Sequence, residues 1–233
     1  NAGGKISRAT LYVTLEPCCH YGKTPPCVEA VIQNKIGRVV IGTLDPNPLV
    51  NGKSMEILKQ QGIKSRVGVL EEECRYLNEA YFKYVTTGIP LVTLKFAQTL
   101  DGRIATATRN SRWISSENFR RLAHKLRASN DAVMVGIDTV LADDPELTVR
   151  LVKGRNPTRI ILDTKLRIPT KAKVVRSRWV APTIIATTPS ADEKKLTHLR
   201  EMGIEVSVVQ KDEAGEVDLR RLLSWMGQRE VSS

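Results

Sequence analysis

Short apolar runs and helical stripes alternate along this chain, separated by polar breakers. Ala9 to Leu15, rich in β-branched and aromatic residues, predicts a strand. Thr24 reads as an N-cap and Pro25 as a first helical position, with Val28 to Ile32 continuing that helix. Arg38 to Thr43 is a short apolar strand, Ser54 to Gln61 a helix closed by Gly62, and Ile63 to Val69 a further strand. Leu70 to Tyr84 predicts one helix, with Leu77, Tyr81 and Tyr84 as a stripe for the core or a subunit interface. Thr86-Thr87-Gly88-Ile89-Pro90 then breaks the pattern, so a domain boundary is expected there, giving residues 1–88 and 89–233.

A second series follows. Leu91 to Phe96 is expected to be its first strand, and Ser115 or Ser116 to cap a helix reaching about Arg127. Strands are predicted over Ala132 to Val135, Thr158 to Leu162, Thr183 to Thr187 and Ile204 to Val209. Ser190 to Met202 predicts a helix, and Asp218 caps a last one running to the chain end. Strand–helix alternation in both halves argues for an α/β fold.

Hydrophobic content of 41% and charged content of 26% are those of an ordinary globular protein. No apolar run approaches the roughly 20 residues of a membrane helix, so no membrane association is expected. The net charge of +11 raises the question of nucleic acid. The basic residues are dispersed and aromatic content is 5%, so there is no stacking platform, and phosphorylated metabolites suit the charge better. Three of the four cysteines share one loop, which does not make a disulfide framework; a reducing, cytoplasmic compartment is expected, with Cys74 structural. No G-x-G-x-x-G follows a strand and no P-loop is present, so any nucleotide cofactor is held in another way.

The densest chemistry lies in Thr14 to Cys27, Thr-Leu-Glu-Pro-Cys-Cys-His-Tyr-Gly-Lys-Thr-Pro-Pro-Cys. Thiols at a strand-to-helix junction face free amides and a helix dipole, which are expected to lower their pKa values and favour metal binding. Pro-Cys at a strand end, with a second Cys after it, resembles the zinc cytidine-deaminase superfamily. The interval of eight residues between Cys18 and Cys27 is similar to that of the deaminase half of the bifunctional riboflavin-biosynthesis deaminase/reductases. That resemblance implies zinc on Cys18 and Cys27, with Cys19 and His20 as neighbours. Lys23, in the metal loop, and Asp45 and Asn47, at a strand end where α/β folds gather ligands, are candidates for substrate contact. The rival reading of Asp45-Pro46-Asn47-Pro48 is a plain turn.

From Leu91 the sequence runs Leu-Val-Thr-Leu-Lys-Phe-Ala-Gln-Thr-Leu-Asp-Gly-Arg-Ile-Ala, followed by Ser-Arg-Trp-Ile-Ser-Ser, Leu-Arg-Ala and Gly-Ile-Asp-Thr-Val-Leu-Ala-Asp-Asp-Pro-Glu-Leu-Thr-Val-Arg. This series resembles the reductase half of the same enzymes, which is similar to dihydrofolate reductase and uses NADPH. The resemblance implies a cytidine-deaminase-like three-layer α/β/α domain followed by a dihydrofolate-reductase-like α/β domain, both incomplete. Ala97, Trp113, Thr139 and Asp143 would then line the NADPH side, and Lys95, Ser111, Arg127, Leu147 and Arg150 the substrate side. The residue types suit this chemistry. Arg127 and Arg150 can bind phosphate in a bidentate way, and Ser111, Ser115 and Thr139 offer hydroxyls to sugar oxygens. Lys95 and Asp143 are the polar pair expected nearest the reacting carbon. Taken singly, Arg127 also suits a helix C-terminus, Trp113 a core and Asp143-Asp144-Pro145 a turn.

The superfamily's H-x-E, carrying a zinc-ligating His and a catalytic Glu, has no counterpart from Asn1 to Thr14, and His124 and His198 are poor substitutes. The chain is therefore expected to be a fragment cut at both ends. The expected partner is a small phosphorylated pyrimidine, with self-association into a homo-oligomer and no nucleic acid. A reductase-only activity stays open, as does a basic RNA-binding or RNA-editing deaminase.

Overall fold

The computed structural model describes residues 6–107 and 114–233. Ser111 and Trp113, two of the candidate site residues, lie outside them. The chain divides into two compact units, Asn1–Leu91 and Val92–Ser233. Each holds a parallel sheet.

In the first unit the order is β1 (Thr10–Leu15), α1 (Cys27–Gln33), β2 (Arg38–Thr43), α2 (Lys53–Gln60), β3 (Lys64–Val67), α3 (Glu71–Leu77) and α4 (Glu79–Thr87). The strands pair in parallel in the order β1-β2-β3, with Val13 opposite Ile41 and Ile41 opposite Val67. β2 is central and buried on both faces, which is why Val39, Val40 and Ile41 form a continuous apolar run. Val39 and Ile41 pack with Val28, Val31 and Leu58 of the covering helices. Gly42 is required by a close approach: a Cβ there would sit 2.7 Å from the Cys74 Cβ and 2.8 Å from the Thr14 carbonyl. Cys74 is buried, in the packing role expected of it.

Three expectations change here. The first helix begins at Cys27, with Pro26 rather than Thr24 as its cap residue. Each of the successive prolines disfavours helical backbone in the residue before it, so the helix starts after the pair. The helix predicted over 70–84 is two, because the Asn78 side-chain amide donates to the Cys74 carbonyl at 2.7 Å and its backbone leaves helical geometry. The Leu77–Tyr84 stripe is not core: Leu77 is 70% exposed and α4 buries no residue.

The second unit runs α5 (Glu117–Ser129), β4 (Ala132–Gly136), α6 (Ile137–Asp143), β5 (Thr158–Leu162), α7 (Lys173–Arg176), β6 (Thr183–Thr187), α8 (Glu193–Glu201), β7 (Glu205–Val208) and α9 (Leu219–Gln228). Its sheet is parallel in the order β4-β5-β6-β7. The pleat sends alternate residues to opposite faces. Ile161, Ile185 and Val206 pack with Ile137, Val140 and Leu199 of α6 and α8. Ile160, Ile184 and Ala186 pack with Leu222 and Met226 of α9. Each fully buried Ile or Leu of this set contributes about 1.5–3 kcal/mol by leaving water. The Ser116 Oγ caps α5, and the Asp218 carboxylate accepts from the Arg220 and Arg221 amides at the start of α9.

Here too the prediction is corrected. Leu91 to Phe96 is no strand: no ladder partner pairs with it among the described residues, and Val92, Leu94 and Phe96 are 55%, 74% and 69% exposed. An alternating run with nothing to cover its apolar side has no source of strand stability. The eighth helix starts at Glu193, where the Asp192 carboxylate caps it, and the last stops at Gln228 instead of the chain end.

Candidate functional site

In the first unit, Cys18 follows β1 and Cys27 opens α1. The loop between them closes on itself: the Cys27 amide donates to the Cys18 Sγ at 3.2 Å and the Val28 amide to the Cys18 carbonyl at 3.1 Å. The Cys27 thiol is pushed up by its hydrogen bond with Cys18, then by burial. At Cys27 this is opposite to the lowering expected from the helix start. Two adjacent thiols fit half of a tetrahedral zinc site. Among the described residues, no group of three His, Cys, Asp or Glu is arranged to complete one. Cys19 Sγ is directed to the Leu49 carbonyl at 3.5 Å, and His20 Nδ1 is buried without a hydrogen-bond partner.

Glu16, which the sequence reading passed over, is buried directly before Pro17-Cys18. Its carboxylate accepts from the Asp45, Gly52 and Ser54 amides at 3.2, 3.0 and 3.2 Å. It thereby ties the thiol loop to the 45–54 loop. Asp45 is buried, accepts from the Asn47 amide at 2.8 Å and receives the Tyr81 hydroxyl at 3.0 Å on both oxygens. Burial, then this bond, pushes the Tyr81 hydroxyl up to about 12. The Asn47 carbonyl oxygen accepts from the Leu49 amide at 3.0 Å. Asp45 and Asn47 thus also build their own loop, as the turn reading allows. Lys23 is exposed in the thiol loop.

The second unit gathers most of the other candidates into one cleft of about 720 Å³. Lys95, Ala97, Ser115, Arg127, Asp143, Leu147 and Arg150 all line it. Thr139 does not, although it sits one turn before Asp143 on α6. The cleft has the volume of small-molecule sites. One face of α5 forms a wall: Arg120, His124 and Arg127, at helical spacing. The opposing loop, 143–150, is unusual in its backbone. Asp144 and Leu147 have φ of 41° and 54°, a left-handed conformation that costs a leucine about 1–3 kcal/mol. Leu147 is buried there all the same, and three anchors hold the loop. The Asp144 carboxylate accepts from the Lys173 amide at 2.8 Å, and the Glu146 carbonyl accepts from the Arg159 guanidinium at 3.1 Å. The His124 Nδ1 accepts from the Arg150 amide at 2.9 Å.

Two guanidiniums meet on this loop. Arg127 donates to the Thr148 carbonyl at 2.8 Å; Arg150 donates to Thr148 Oγ1 at 2.8 Å and to the Glu146 carboxylate at 3.0 Å. Burial, and then the Arg150 charge, lowers the Arg127 pKa. Burial, then Arg127 and Arg150, also holds His124 below its usual range. Cations crowded together in a half-buried cleft gain when an anion arrives. His124, Glu146 and Arg120 were missed as lining residues; the spacing of Arg120, His124 and Arg127 on one helix was the available signal.

A second cavity, of about 470 Å³, opens at the carboxyl ends of β4 and β5, lined by Asp138, Thr164, Lys165, Arg167 and Glu216 among others. None of these was a sequence candidate. Strand carboxyl ends are where open α/β sheets bind ligands.

Comparison with known proteins decides the family. Residues 90–233 match the family described as RibD C-terminal domain. The chain belongs to the RibD family. It is 52% identical over 209 residues to the riboflavin biosynthesis protein RibD of Aquifex aeolicus, covering 89% of this chain and 58% of the relative. It is 42% identical to that of Bacillus amyloliquefaciens, over 100% of this chain and 62% of the relative. Its fold matches the crystal structure of the Thermotoga maritima diaminohydroxyphosphoribosylaminopyrimidine deaminase/5-amino-6-(5-phosphoribosylamino)uracil reductase with a TM-score of 0.82 and 39% identity, over 99% of this chain and 62% of that one. Acinetobacter baumannii RibD gives a TM-score of 0.83 at 37% identity, over 98% of this chain and 62% of that one. The chain thus spans about three fifths of the length of these RibD relatives.

Proposed function

We propose that the second unit binds a ribosyl phosphate attached to an aminopyrimidine and supports its NADPH-dependent reduction, a step of riboflavin biosynthesis. The observation that carries this reading is the convergence of Arg127, Arg150, Lys95 and Asp143 on one cleft. Arg127 and Arg150 take the phosphate, with Ser115 and Ser111 as hydroxyl donors and Leu147 fixing the loop between them. Lys95 and Asp143 stand at the reacting end, where a cation polarises a carbon–oxygen or carbon–nitrogen double bond at C1′ and a carboxylate relays the proton that its oxygen or nitrogen takes up. NADPH, when bound, supplies the hydride for C1′ of the ribosyl chain. Ala97, Trp113, Thr139 and Asp143 are its candidate neighbours.

The first unit contributes Cys18 and Cys27 as two thiolate ligands of a zinc-dependent pyrimidine deaminase. Deamination needs further groups, so no step is assigned to this chain alone. Lys23, Asp45 and Asn47 are its proposed substrate contacts. The test uses full-length protein and the deaminated aminopyrimidine ribosyl phosphate, and follows NADPH oxidation. Turnover with NADPH and the phosphorylated substrate is expected, with a large loss for the dephosphorylated one. Equal rates for both substrates would remove the phosphate role of the cleft.

A further inference from the structure

We propose that His124 is a positioning residue of the phosphate cleft: its Nδ1 accepts the Arg150 backbone N–H and so fixes where the Arg150 guanidinium is presented. This rests on the reading of Arg127 and Arg150 as phosphate ligands. His124 and Arg127 lie three residues apart on one face of α5, and Arg150 comes from the facing loop. The bond from the Arg150 amide to His124, at 2.9 Å, ties the helix that carries one guanidinium to the loop that carries the other. The helix makes a second tie through Arg127 itself, to the Thr148 carbonyl at 2.8 Å. The spacing of the two guanidiniums thus depends on an acceptor nitrogen that touches no phosphate.

His124 is buried, at 7% exposure. A buried ring nitrogen needs a partner, and the one it has is the backbone of the residue that carries the second guanidinium. Nδ1 can accept only without a proton of its own, which assigns the ring to the Nε2–H tautomer. A bidentate clamp loses affinity steeply when its two arms drift apart, because binding energy then goes into ordering the loop.

The substitutions follow from atom positions. Asn places its Oδ1 the same number of bonds from the backbone as the His Nδ1, so His124→Asn keeps the acceptor. His124→Leu keeps bulk and removes it. In full-length protein, with ribose 5-phosphate as the probe in calorimetry, His124→Leu is expected to weaken binding about tenfold, one lost hydrogen bond. KM for the phosphorylated substrate rises by the same factor while kcat holds. His124→Asn stays within about threefold of wild type on both. Wild-type affinity in His124→Leu overturns the proposal, and so does an equal loss in His124→Asn. A long-range proton–nitrogen spectrum of the wild-type imidazole tests the same idea without any variant, and an Nδ1–H tautomer at neutral pH overturns it. Arg127→Ala and Arg150→Ala separate the two levels. If neither weakens ribose 5-phosphate, the phosphate reading has failed. If both do and the His124 variants do not, only the positioning role has failed.

Discussion

Replacing Arg127 by Ala tests the substrate side of the cleft most directly. The side chain has two jobs in this structure, and they separate in magnitude. Its guanidinium donates to the Thr148 carbonyl at 2.8 Å, a charge-assisted bond that steadies the loop. Losing it leaves that carbonyl short of a donor and costs about 1 kcal/mol of stability. Removal also relieves repulsion from Arg150, which contributes to the lowered Arg127 pKa, so the net loss is expected at or below that figure. The second job is phosphate binding. A hydrogen bond to a charged group is worth about 1.5–3 kcal/mol, or about 10- to 100-fold in affinity. The phosphate does not change during reduction, so the interaction is made equally in the ground and transition states. KM therefore rises by that factor and kcat stays near wild type. Arg127→Lys falls between the two, because an ammonium restores the charge without the bidentate fork. The assay is NADPH oxidation with the substrate titrated, alongside urea unfolding of each variant. A fall in kcat with KM unchanged, in a protein as stable as wild type, would refute the reasoning.

Four further outcomes follow. Lys95→Ala and Asp143→Asn are each expected to lower turnover about 10²-fold with the fold intact, measured by single-turnover NADPH oxidation; near wild-type rates in both would move the reacting centre elsewhere. In full-length protein, Cys18→Ser and Cys27→Ser are expected to lose zinc by elemental analysis while Cys19→Ser keeps it; full zinc in the first two ends the assignment. Burial, then the Arg127 and Arg150 charges, hold the His124 pKa below its ordinary value of about 6.5 in the fold, so the unfolded chain takes up the proton first, and this site's stability is complete above about pH 6.5 and lost as pH falls through the folded pKa. Urea melts at about pH 7.5 and 5.5 check this, since His124→Asn should flatten the slope, and an unchanged slope contradicts it. Arg159, fully buried, bonds to Glu146, Ser177 and Ala181 carbonyls, so Arg159→Leu is expected to destabilise by about 3 kcal/mol or more, read in the same melts.

The elements that sequence patterns predict best are those whose stability is local or doubly enforced. β2, β5 and β6 each carry a buried apolar run, Val39–Ile41, Ile160–Ile161 and Ile184–Ala186, and their predicted ranges coincide with the observed ones. The caps at Ser116 and Asp218 are equally plain, since a side-chain oxygen three residues or fewer from a free amide needs nothing from the rest of the fold. Leu91 to Phe96 has the same β-rich composition as these strands. It is not a strand here because a strand is made by its neighbours, and no periodicity reveals whether they are present. Asn78 marks the complementary failure: a helical stripe runs through it, and one side-chain amide interrupts the backbone it was expected to continue.

The cleft follows the same division. Arg127, Arg150 and Asp143 are singled out in the sequence by the family resemblance, since each taken alone also suits a helix end or a turn, and the structure brings them to one cleft. Arg159 and Glu16 were not, because each acts by what it holds. A fully buried guanidinium on a central strand looks in sequence like any other arginine, and a carboxylate before Pro-Cys looks like surface charge. Both become visible only when the loop each one ties down is seen. Arg159 fixes the Glu146 carbonyl, and Glu16 fixes the amides of Asp45, Gly52 and Ser54. The two units thus rely on one physical device. A charged side chain is buried against backbone groups to hold a loop whose own preferences would not keep it in place. The strain at Asp144 and Leu147 measures how strongly the second of these loops is held.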